Sequence, residues 1–314
     1  MEKIAFLFPG QGSQYVGMGR GLYNLFSVAR ETFEEADEAL QFKISKLCFE
    51  GPWEDLKLTI NTQPAILTVS VSALRVLQSE TGLSASLLAG HSLGEYSALV
   101  AGGAIEFTDA VQVVRARGQF IQEAVPLEKG AVGVVLGLDE AAVKSICQEA
   151  AQGEIITPAN YNCSGQIAIS GHRGAVRRAV SLANKSGAKG AVLLPVSAPM
   201  HSPLMESAGK RLGEALSGVP IMDPRVPVVS NVDAQPHTSG AKIRELLIRH
   251  VSAPVRWEES IRTMLSQSIR RFIEVGPGKV LSGLFKWING DVALANVEDM
   301  DSFEETRSMI EMYR

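Results

Sequence analysis

Cysteine is scarce in this sequence, and its N-terminus lacks a long hydrophobic run. The 314 residues include only Cys48, Cys147 and Cys163, an odd number, with no CxxC pair among them. This pattern suggests neither a disulfide framework nor a zinc site, and it fits a reducing cytoplasm. The first apolar run, in "MEKIAFLFPG", has five residues before Pro9. It is too short for a signal-peptide core or a membrane span and predicts a first, buried β-strand.

A strong excess of charge is also missing. The net charge is -4, and acidic and basic residues are mixed along the chain, which argues against nucleic acid as the main partner. Hydrophobic residues make up 46% of the chain and charged residues 20%. This composition can bury one large core, or a large core and a small accessory one. We therefore expect one or two soluble domains, without a nucleic-acid or membrane partner.

Short apolar runs alternate with helical stretches, which predicts an α/β fold with a mostly parallel sheet. The runs "KIAFLF" and "ASLLAG" predict buried strands, and "GEYSALVAGGA" predicts a helix directly after the second. Another helix is expected in "QPAILTVSVSALRVLQSE", with Pro64 in its first turn. Residues 128–197 show a βαββαβ order, which predicts a ferredoxin-like subdomain inserted into a larger core of residues 1–127 and 198–314.

The stretch "GHSLG" places Ser92 between two glycines, at the predicted junction of a strand and a helix. GxSxG is the nucleophile-elbow pattern, in which a sharp turn exposes the serine hydroxyl and small neighbours let strand and helix approach. The alternative is a serine that caps the helix beside a turn glycine. The pattern alone is weak, and its position between strand and helix favours the nucleophile.

A nucleophilic serine needs a base, and the chain has only five histidines. His91 adjoins Ser92, but neighbouring residues at an elbow usually point in different directions. His201 lies in "VSAPMHSPLM", a loop held by prolines, and His250 lies at the end of an amphipathic helix. The chemistry favours His201 over His250 and leaves both open.

The helix predicted in "TDAVQVVRARGQFIQEAV" carries Arg117 on its apolar face. An unpaired buried guanidinium is costly, so this side chain should meet either a protein carboxylate or an anionic ligand. The glycine loop "FPGQGSQ" follows the first strand, where α/β folds place ligands. It matches no dinucleotide fingerprint because position 15 is Tyr15, but it can aim backbone N–H groups into an oxyanion hole. The simpler interpretation of this loop is a tight turn.

Six stretches, taken in order, resemble the malonyl-CoA:acyl carrier protein transacylase family and cover nearly the whole chain. They are "GQGSQ" (10–14), "GHSLGE" (90–95), "RARG" (115–118), "NYNCSGQIAISG" (160–171), "APMHSPLM" (198–205) and "EVGPGKVL" (274–281). The resemblance implies a hydrolase-like core with an inserted ferredoxin-like subdomain. It also implies cytoplasmic, ping-pong transfer of malonyl from malonyl-CoA to the phosphopantetheine thiol of an acyl carrier protein, for fatty acid synthesis. Neither step needs a metal or a redox cofactor.

The resemblance also implies roles for individual residues. Ser92 would accept the acyl group, and His201 would take its proton and return it to the leaving thiol. Backbone N–H groups would form the oxyanion hole, and an arginine would bind the malonyl carboxylate through two parallel hydrogen bonds. The remaining implied positions are Gln11 and Leu93 for the oxyanion hole, Arg117 for the carboxylate, and Asn160, Asn162, Gln166 and Gln63 near the substrate channel.

Two positions depart from the family pattern. Family members orient the base through a backbone carbonyl at a position that is usually glutamine; here it is His250, whose imidazole could alter the pKa of the base. Met200 stands before the base, where serine or phenylalanine is common. With Leu93 after the nucleophile, it predicts a pocket that prefers malonyl to methylmalonyl.

Carrier proteins are acidic, which makes basic residues near the cleft candidates for docking, namely Lys185, Lys189, Arg177, Arg178 and Lys279. The alternative functions are a discrete acyltransferase that serves a polyketide synthase, an acyl hydrolase of the same fold, and a non-catalytic module that binds carrier proteins. The arginine argues against the hydrolase. The intact serine and histidine argue against the binding module.

Overall fold

A computed structural model describes residues 3–126, 128–196 and 198–312. Within these ranges the strands are β1 Ile4–Phe8, β2 Leu87–Gly90, β3 Gly130–Leu136, β4 Ile156–Cys163, β5 Gln166–His172, β6 Gly190–Leu193, β7 Val228–Val229, β8 Pro236–His237, β9 Arg271–Val275 and β10 Ala293–Val297. The helices are α1 Arg20–Leu25, α2 Ser27–Leu40, α3 Ile44–Glu50, α4 Trp53–Leu56, α5 Thr59–Thr81, α6 Gly94–Ala101, α7 Phe107–Ala124, α8 Glu140–Ala151, α9 Arg173–Lys185, α10 Glu206–Ser217, α11 Gly240–His250, α12 Trp257–Ser266, α13 Val280–Ile288 and α14 Met300–Met312.

The first sheet has six strands in the order β10-β9-β1-β2-β7-β8. All neighbouring pairs are parallel except β7 and β8, which confirms the mostly parallel sheet expected from the sequence. Strand β1 lies in the interior of this sheet and every one of its residues is buried, as helices on both faces require. The carboxyl ends of β1 and β2 therefore lie side by side, and the loops that leave them meet at one edge.

The second sheet has four antiparallel strands in the order β4-β5-β3-β6. Along the chain, its elements follow the order β3, α8, β4, β5, α9, β6, which confirms the predicted βαββαβ arrangement. Helices α8 and α9 pack against one face of this sheet and form a separate buried core with it. The predicted boundaries at residues 127 and 197 lie outside the described residues.

Helix α5 begins earlier than the sequence predicts. Pro64 was expected in the first turn, but the helix starts at Thr59 and Pro64 is its sixth residue. The proline has no N–H and leaves the carbonyl of Ile60 without its helical partner. Burial explains why the helix nevertheless extends upstream, because Thr59, Thr62 and Gln63 are buried there. None of the described helices is both long enough and apolar enough to cross a membrane.

Helix α7 packs closely against the start of α5, and a glycine makes this approach possible. A Cβ atom on Gly118 would lie 2.7 Å from the Cα atom of Ile60 and from the carbonyl oxygen of Thr59. Those are backbone atoms, so the contact cannot be relieved by rotating a side chain. The small residue therefore sets the distance between the two helices.

We expect Gly118→Ala to destabilise the protein by about 1–3 kcal/mol, since the added methyl group pushes α7 away from α5. Gly21→Ala is the matched control: Gly21 is also helical, and an added Cβ meets no atom within 4 Å. There the same change should stabilise by up to about 1 kcal/mol. Urea unfolding of both variants measures the difference, and equal unfolding midpoints would contradict the close-packing argument.

Candidate active site

Ser92 lies in the sharp turn between β2 and α6, with a φ of 51° in the left-handed region. Glycines surround the turn because there is no room for side chains. A Cβ atom on Gly90 would lie 1.9 Å from the carbonyl group of Gly94, and one on Gly94 would lie 2.0 Å from the carbonyl oxygen of Phe8. Helix α6 has no side-chain cap, so the alternative role of Ser92 as a helix cap is wrong.

The hydroxyl group of Ser92 instead contacts a histidine. Its Oγ lies 2.8 Å from Nε2 of His201, whose own φ is 58°. Ser92 and His201 are therefore both non-glycine residues in the left-handed region, which is an unfavourable backbone conformation. Such strained residues persist only where the surrounding packing fixes them, and they are common at catalytic sites. His250, the other candidate base, makes no hydrogen bond through its ring to any described residue.

The tautomer of His201 follows from its contacts. Nδ1 lies 3.0 Å from the carbonyl oxygen of His250 and 3.1 Å from that of Ala253. Carbonyl oxygens only accept, so Nδ1 carries the proton and the lone pair of Nε2 faces Ser92. Burial, reinforced by the positive charge of Arg117, lowers the pKa of His201 to about 3. The ring is therefore neutral, and able to accept a proton, at physiological pH.

Asn231 holds the turn that carries Ser92, which we call the nucleophile turn. This asparagine was not identified from the sequence. Its Oδ1 accepts the backbone N–H of Ser92 at 2.7 Å, and its Nδ2 donates to the carbonyl oxygen of Gly90, also at 2.7 Å. The backbone N–H of Asn231 donates to Oε2 of Glu95 at 3.0 Å. Both side chains are buried, and burial raises the pKa of Glu95 to about 7. The only local signal was a polar residue after the short strand in "VPVVSNV".

Arg117 is 1% exposed, and neither of its terminal nitrogens has a hydrogen-bond partner among the described residues. The ion pair considered from the sequence is therefore not formed there. The guanidinium lies over the face of the Tyr96 ring, with 5.8 Å between the guanidinium carbon and the ring centroid. Burial lowers the pKa of Arg117. A buried guanidinium with two unused donor groups is suited to bind a carboxylate.

The loop after β1 contacts the nucleophile turn directly. A Cβ atom on Gly10 would lie 2.3 Å from the carbonyl oxygen of His91, so only glycine fits. The loop is also a tight turn, since the N–H of Ser13 donates to the carbonyl oxygen of Gly10. Gln11 donates its side-chain amide to Oγ1 of Thr59 at 3.3 Å. Leu93 precedes the first turn of α6, where backbone N–H groups lack helical partners.

A cavity of about 480 Å³ opens over the serine and histidine, and it brings together loops that follow β1 and β2 of the first sheet and strand residues of the second sheet. The side chain of His91 lies in it, with Nε2 2.9 Å from Oδ1 of Asn162. Trp53 and Lys57 also line it, and the sequence had singled out neither. The sequence-predicted residues that line it are Gln11, Ser92, Asn160, Asn162, Met200 and His201.

The three remaining residues predicted to bind substrate lie elsewhere. Arg117 and Gln63 are buried side chains on α7 and α5, outside the described lining of the cavity. Gln63 leaves its Oε1 without a hydrogen-bond partner in the described part of the chain. Gln166, at the start of β5, lines a separate cavity with Lys189 and Trp287.

A larger cavity, of about 630 Å³, lies between α8, β4 and α12 and has a different character. Its charged side chains largely pair with each other, as Arg262 does with Glu258 and Arg256 with Glu259. Within the described residues it holds no hydroxyl group hydrogen-bonded to a histidine. The smaller cavity over the serine is therefore the candidate active site.

Comparison with known proteins gives consistent matches over almost the whole chain. The profile of the acyl transferase domain family matches residues 5–286. A malonyl CoA-acyl carrier protein transacylase of Bacillus subtilis is 49% identical over 305 residues, which cover 97% of this chain and 96% of that protein. The solved transacylase of Coxiella burnetii superposes with a TM-score of 0.95 at 43% identity, covering 97% of this chain and 96% of that one.

A further similar structure contains a partner. It is a malonyl-transacylase in complex with a type II PKS acyl-carrier protein, with a TM-score of 0.96 and 42% identity. The match covers 98% of this chain and 100% of that one.

The low pKa of His201 predicts how the reactivity of Ser92 responds to acid. The base is the neutral ring, which persists at any pH above its pKa of about 3. A fluorophosphonate should therefore label Ser92 at rates that agree within about twofold between about pH 4.5 and pH 6. A histidine with an ordinary pKa near 6.5 would lose more than about tenfold over that range. Labelling followed by mass spectrometry measures the rate, and circular dichroism checks folding at each pH.

Proposed function

Since the chain belongs to the acyl transferase domain family, we propose that it transfers malonyl from malonyl-CoA to the phosphopantetheine thiol of an acyl carrier protein. The observation that carries this proposal is the combination of Ser92 hydrogen-bonded to neutral His201 with a buried, unpartnered Arg117. The first two supply a nucleophile and its base. The third supplies a binding group for the free carboxylate that distinguishes malonyl from acetyl.

In the first half-reaction, Oγ of Ser92 attacks the thioester carbonyl carbon while its proton passes to Nε2 of His201. The new C–O bond gives a tetrahedral oxyanion, which accepts hydrogen bonds from the backbone N–H groups of Gln11 and Leu93. When the C–S bond breaks, the proton on Nε2 goes to the CoA sulfur. The products are the malonyl ester of Ser92 and free CoA.

In the second half-reaction, the phosphopantetheine thiol enters the same cavity and loses its proton to His201. Its sulfur attacks the ester, and Ser92 leaves with the proton that His201 returns. Serine, histidine and oxyanion donors are sufficient for both steps, so the proposed transfer needs no metal or redox cofactor.

The other site residues have supporting roles. Arg117 holds the malonyl carboxylate through paired hydrogen bonds, and the carbonyl oxygen of His250 orients the ring of His201. Met200 limits the space beside the acyl α-carbon. The remaining proposed residues shape the channel for the acyl and pantetheine groups: Gln63, Asn160, Asn162 and Gln166.

The carrier protein docks through exposed basic residues. Lys185, Lys189, Arg177 and Lys279 are exposed and available to an acidic partner. Arg178 is not, because it pairs with Glu154 and donates to the last carbonyl groups of α8. The carrier serves fatty acid synthesis, and a polyketide carrier is the second candidate because a similar transacylase is solved with one.

The proposed function goes with the division of the chain that the sequence predicts, in which a ferredoxin-like subdomain of residues 128–197 is inserted into an acyltransferase core of residues 1–127 and 198–314. Elements β3 to β6 of the second sheet all lie between Gly130 and Leu193. The enzyme works in the cytoplasm, which agrees with three cysteines that are all unpaired.

We expect a malonyl adduct on Ser92 when the protein is mixed briefly with malonyl-CoA and analysed by intact-protein mass spectrometry. Added holo carrier protein should discharge it. Ser92→Ala should abolish the adduct, whereas Ser97→Ala should not, although Ser97 is a buried serine on the adjoining helix. A folded protein that forms no adduct would favour a binding module, and steady CoA release without carrier would favour a hydrolase.

Arg117→Ala should lower kcat/KM for malonyl-CoA by about 100-fold to 1,000-fold, since the carboxylate loses a charge-assisted, two-pronged contact. Acetyl-CoA has no carboxylate, and its slow reaction should change by less than about threefold. Arg115→Ala is the control on the same helix, because Arg115 contacts the carbonyl oxygen of Leu40 and the ring of Phe42. Equal losses for both CoA esters in Arg117→Ala would contradict carboxylate binding.

Met200 should set the preference for malonyl over methylmalonyl. One extra methyl group in a filled apolar pocket changes kcat/KM by about 10-fold to 200-fold. We expect a preference of that size in the wild type and a preference below about fivefold in Met200→Ala. Met222→Ala, at an exposed methionine, should leave the ratio unchanged. Comparable specificity constants of the wild type for both esters would show that Met200 does not restrict the pocket.

A further inference from the structure

Two buried titratable side chains beside the site have no role in the transfer described above. The proposed reaction uses the backbone carbonyl of His250, but neither its imidazole nor the carboxyl group of Glu95. These side chains are 1% and 2% exposed, and Nδ1 of His250 lies 3.5 Å from Oε2 of Glu95. Neither ring nitrogen of His250 hydrogen-bonds to any described residue. A shift of about 0.5 Å would convert the contact into a hydrogen bond.

This pair contacts both halves of the catalytic site. The ring of His250 stacks on that of His201, with centroids 5.0 Å apart and an interplanar angle of 30°. On the other side, Oε2 of Glu95 accepts the backbone N–H of Asn231, whose side chain holds the N–H of Ser92. The base and the nucleophile turn are therefore joined through these two side chains.

Burial determines the charge of the pair. Two full charges in this dry environment would be costly, because each ion loses its hydration. Burial raises the pKa of Glu95 and lowers that of His250 well below its usual value, so each group favours its neutral form. Other charged or titratable groups face the pair from the elements packed against it: Arg117 and Tyr96 from α7 and α6, Asp233 from the segment after β7, and His91 and His201.

We propose that Glu95 and His250 share a single proton as a buried neutral pair, and that this pair positions His201 and makes its strength as a base depend on pH. This inference rests on the proposed function. In the protonated state the carboxyl O–H donates to Nδ1 of His250. When that proton is lost, His250 changes tautomer and Nδ1–H donates to the carboxylate. The negative charge then stabilises the imidazolium of His201 that forms during acylation.

The pH profile of acylation tests this coupling. The donor is malonyl-N-acetylcysteamine, which has no phosphate that titrates, and rapid quenching measures the formation of malonyl-Ser92. In the wild type we expect the rate constant to rise about threefold to tenfold as pH increases through about 7, with KM unchanged because the pair does not touch substrate. Glu95→Gln keeps the shape and the hydrogen bonds but cannot ionise. Its rate should stay at the low-pH level of the wild type.

His250→Gln should keep the rise but move it to lower pH. The glutamine amide can donate to the carboxylate, which stabilises the charged form of Glu95. Glu274→Gln is the matched control, since Glu274 is another buried glutamate, and its carboxylate accepts hydrogen bonds from the start of α13 rather than from the nucleophile turn. It should change stability without removing the rise. A rise that persists unchanged in Glu95→Gln would overturn the proposal.

NMR of ¹⁵N-histidine-labelled wild-type protein gives a test that does not depend on activity or on the folding of a variant. The chain has five histidines, and His250→Gln assigns the relevant signals. We expect His250 to be neutral at pH 6 with Nε2 protonated, and to shift towards the Nδ1-protonated tautomer by about pH 8.5. A cationic His250 at pH 6 would mean an ion pair and would refute the shared neutral proton, whatever the enzyme transfers.

Discussion

The 2.8 Å hydrogen bond between Oγ of Ser92 and Nε2 of His201 is the contact around which the site is built. It joins residues 109 positions apart, and both adopt left-handed backbone conformations. Such a conformation costs on the order of 1–3 kcal/mol at each position, so other contacts must hold it. On the serine side, glycines allow strand, helix and loop backbones to touch, and Asn231 binds two backbone groups of the turn. On the histidine side, two carbonyl groups hold the ring.

The second constraint is the burial of the titratable side chains at the site. His201, Arg117, Glu95 and His250 are all buried, and electrostatic interactions between buried groups are screened far less than at the surface. The same burial keeps the ring of His201 neutral, and it makes an anionic partner favourable for the buried guanidinium of Arg117. The second sheet contributes to this enclosure. Strand β4 bridges to Val255, in the segment that follows the carbonyl groups holding His201, and its residues line the cavity wall.

Much of the fold was predictable because its elements are specified by local patterns. Apolar runs of strand length predicted β1 and β2, and alternating strand and helix patterns predicted the βαββαβ order of the second sheet. The start of α5 was not predicted correctly. Proline at a first turn is a sound local rule, but Pro64 lies in the sixth position because Thr59, Thr62 and Gln63, upstream of it, are buried. Tertiary packing outweighed the local preference there.

For the site, the sequence by itself determined which residue types were available and which share a helix face. Ser92 was found from its glycines, and Arg117 from its spacing on an apolar stripe, because both signals involve only near neighbours in the chain. The sequence left two histidines open as the base and did not indicate Asn231 or the contact between Glu95 and His250. Those relations join segments more than 100 residues apart, and only the packing of sheet, helices and loops brings their side chains within hydrogen-bond distance.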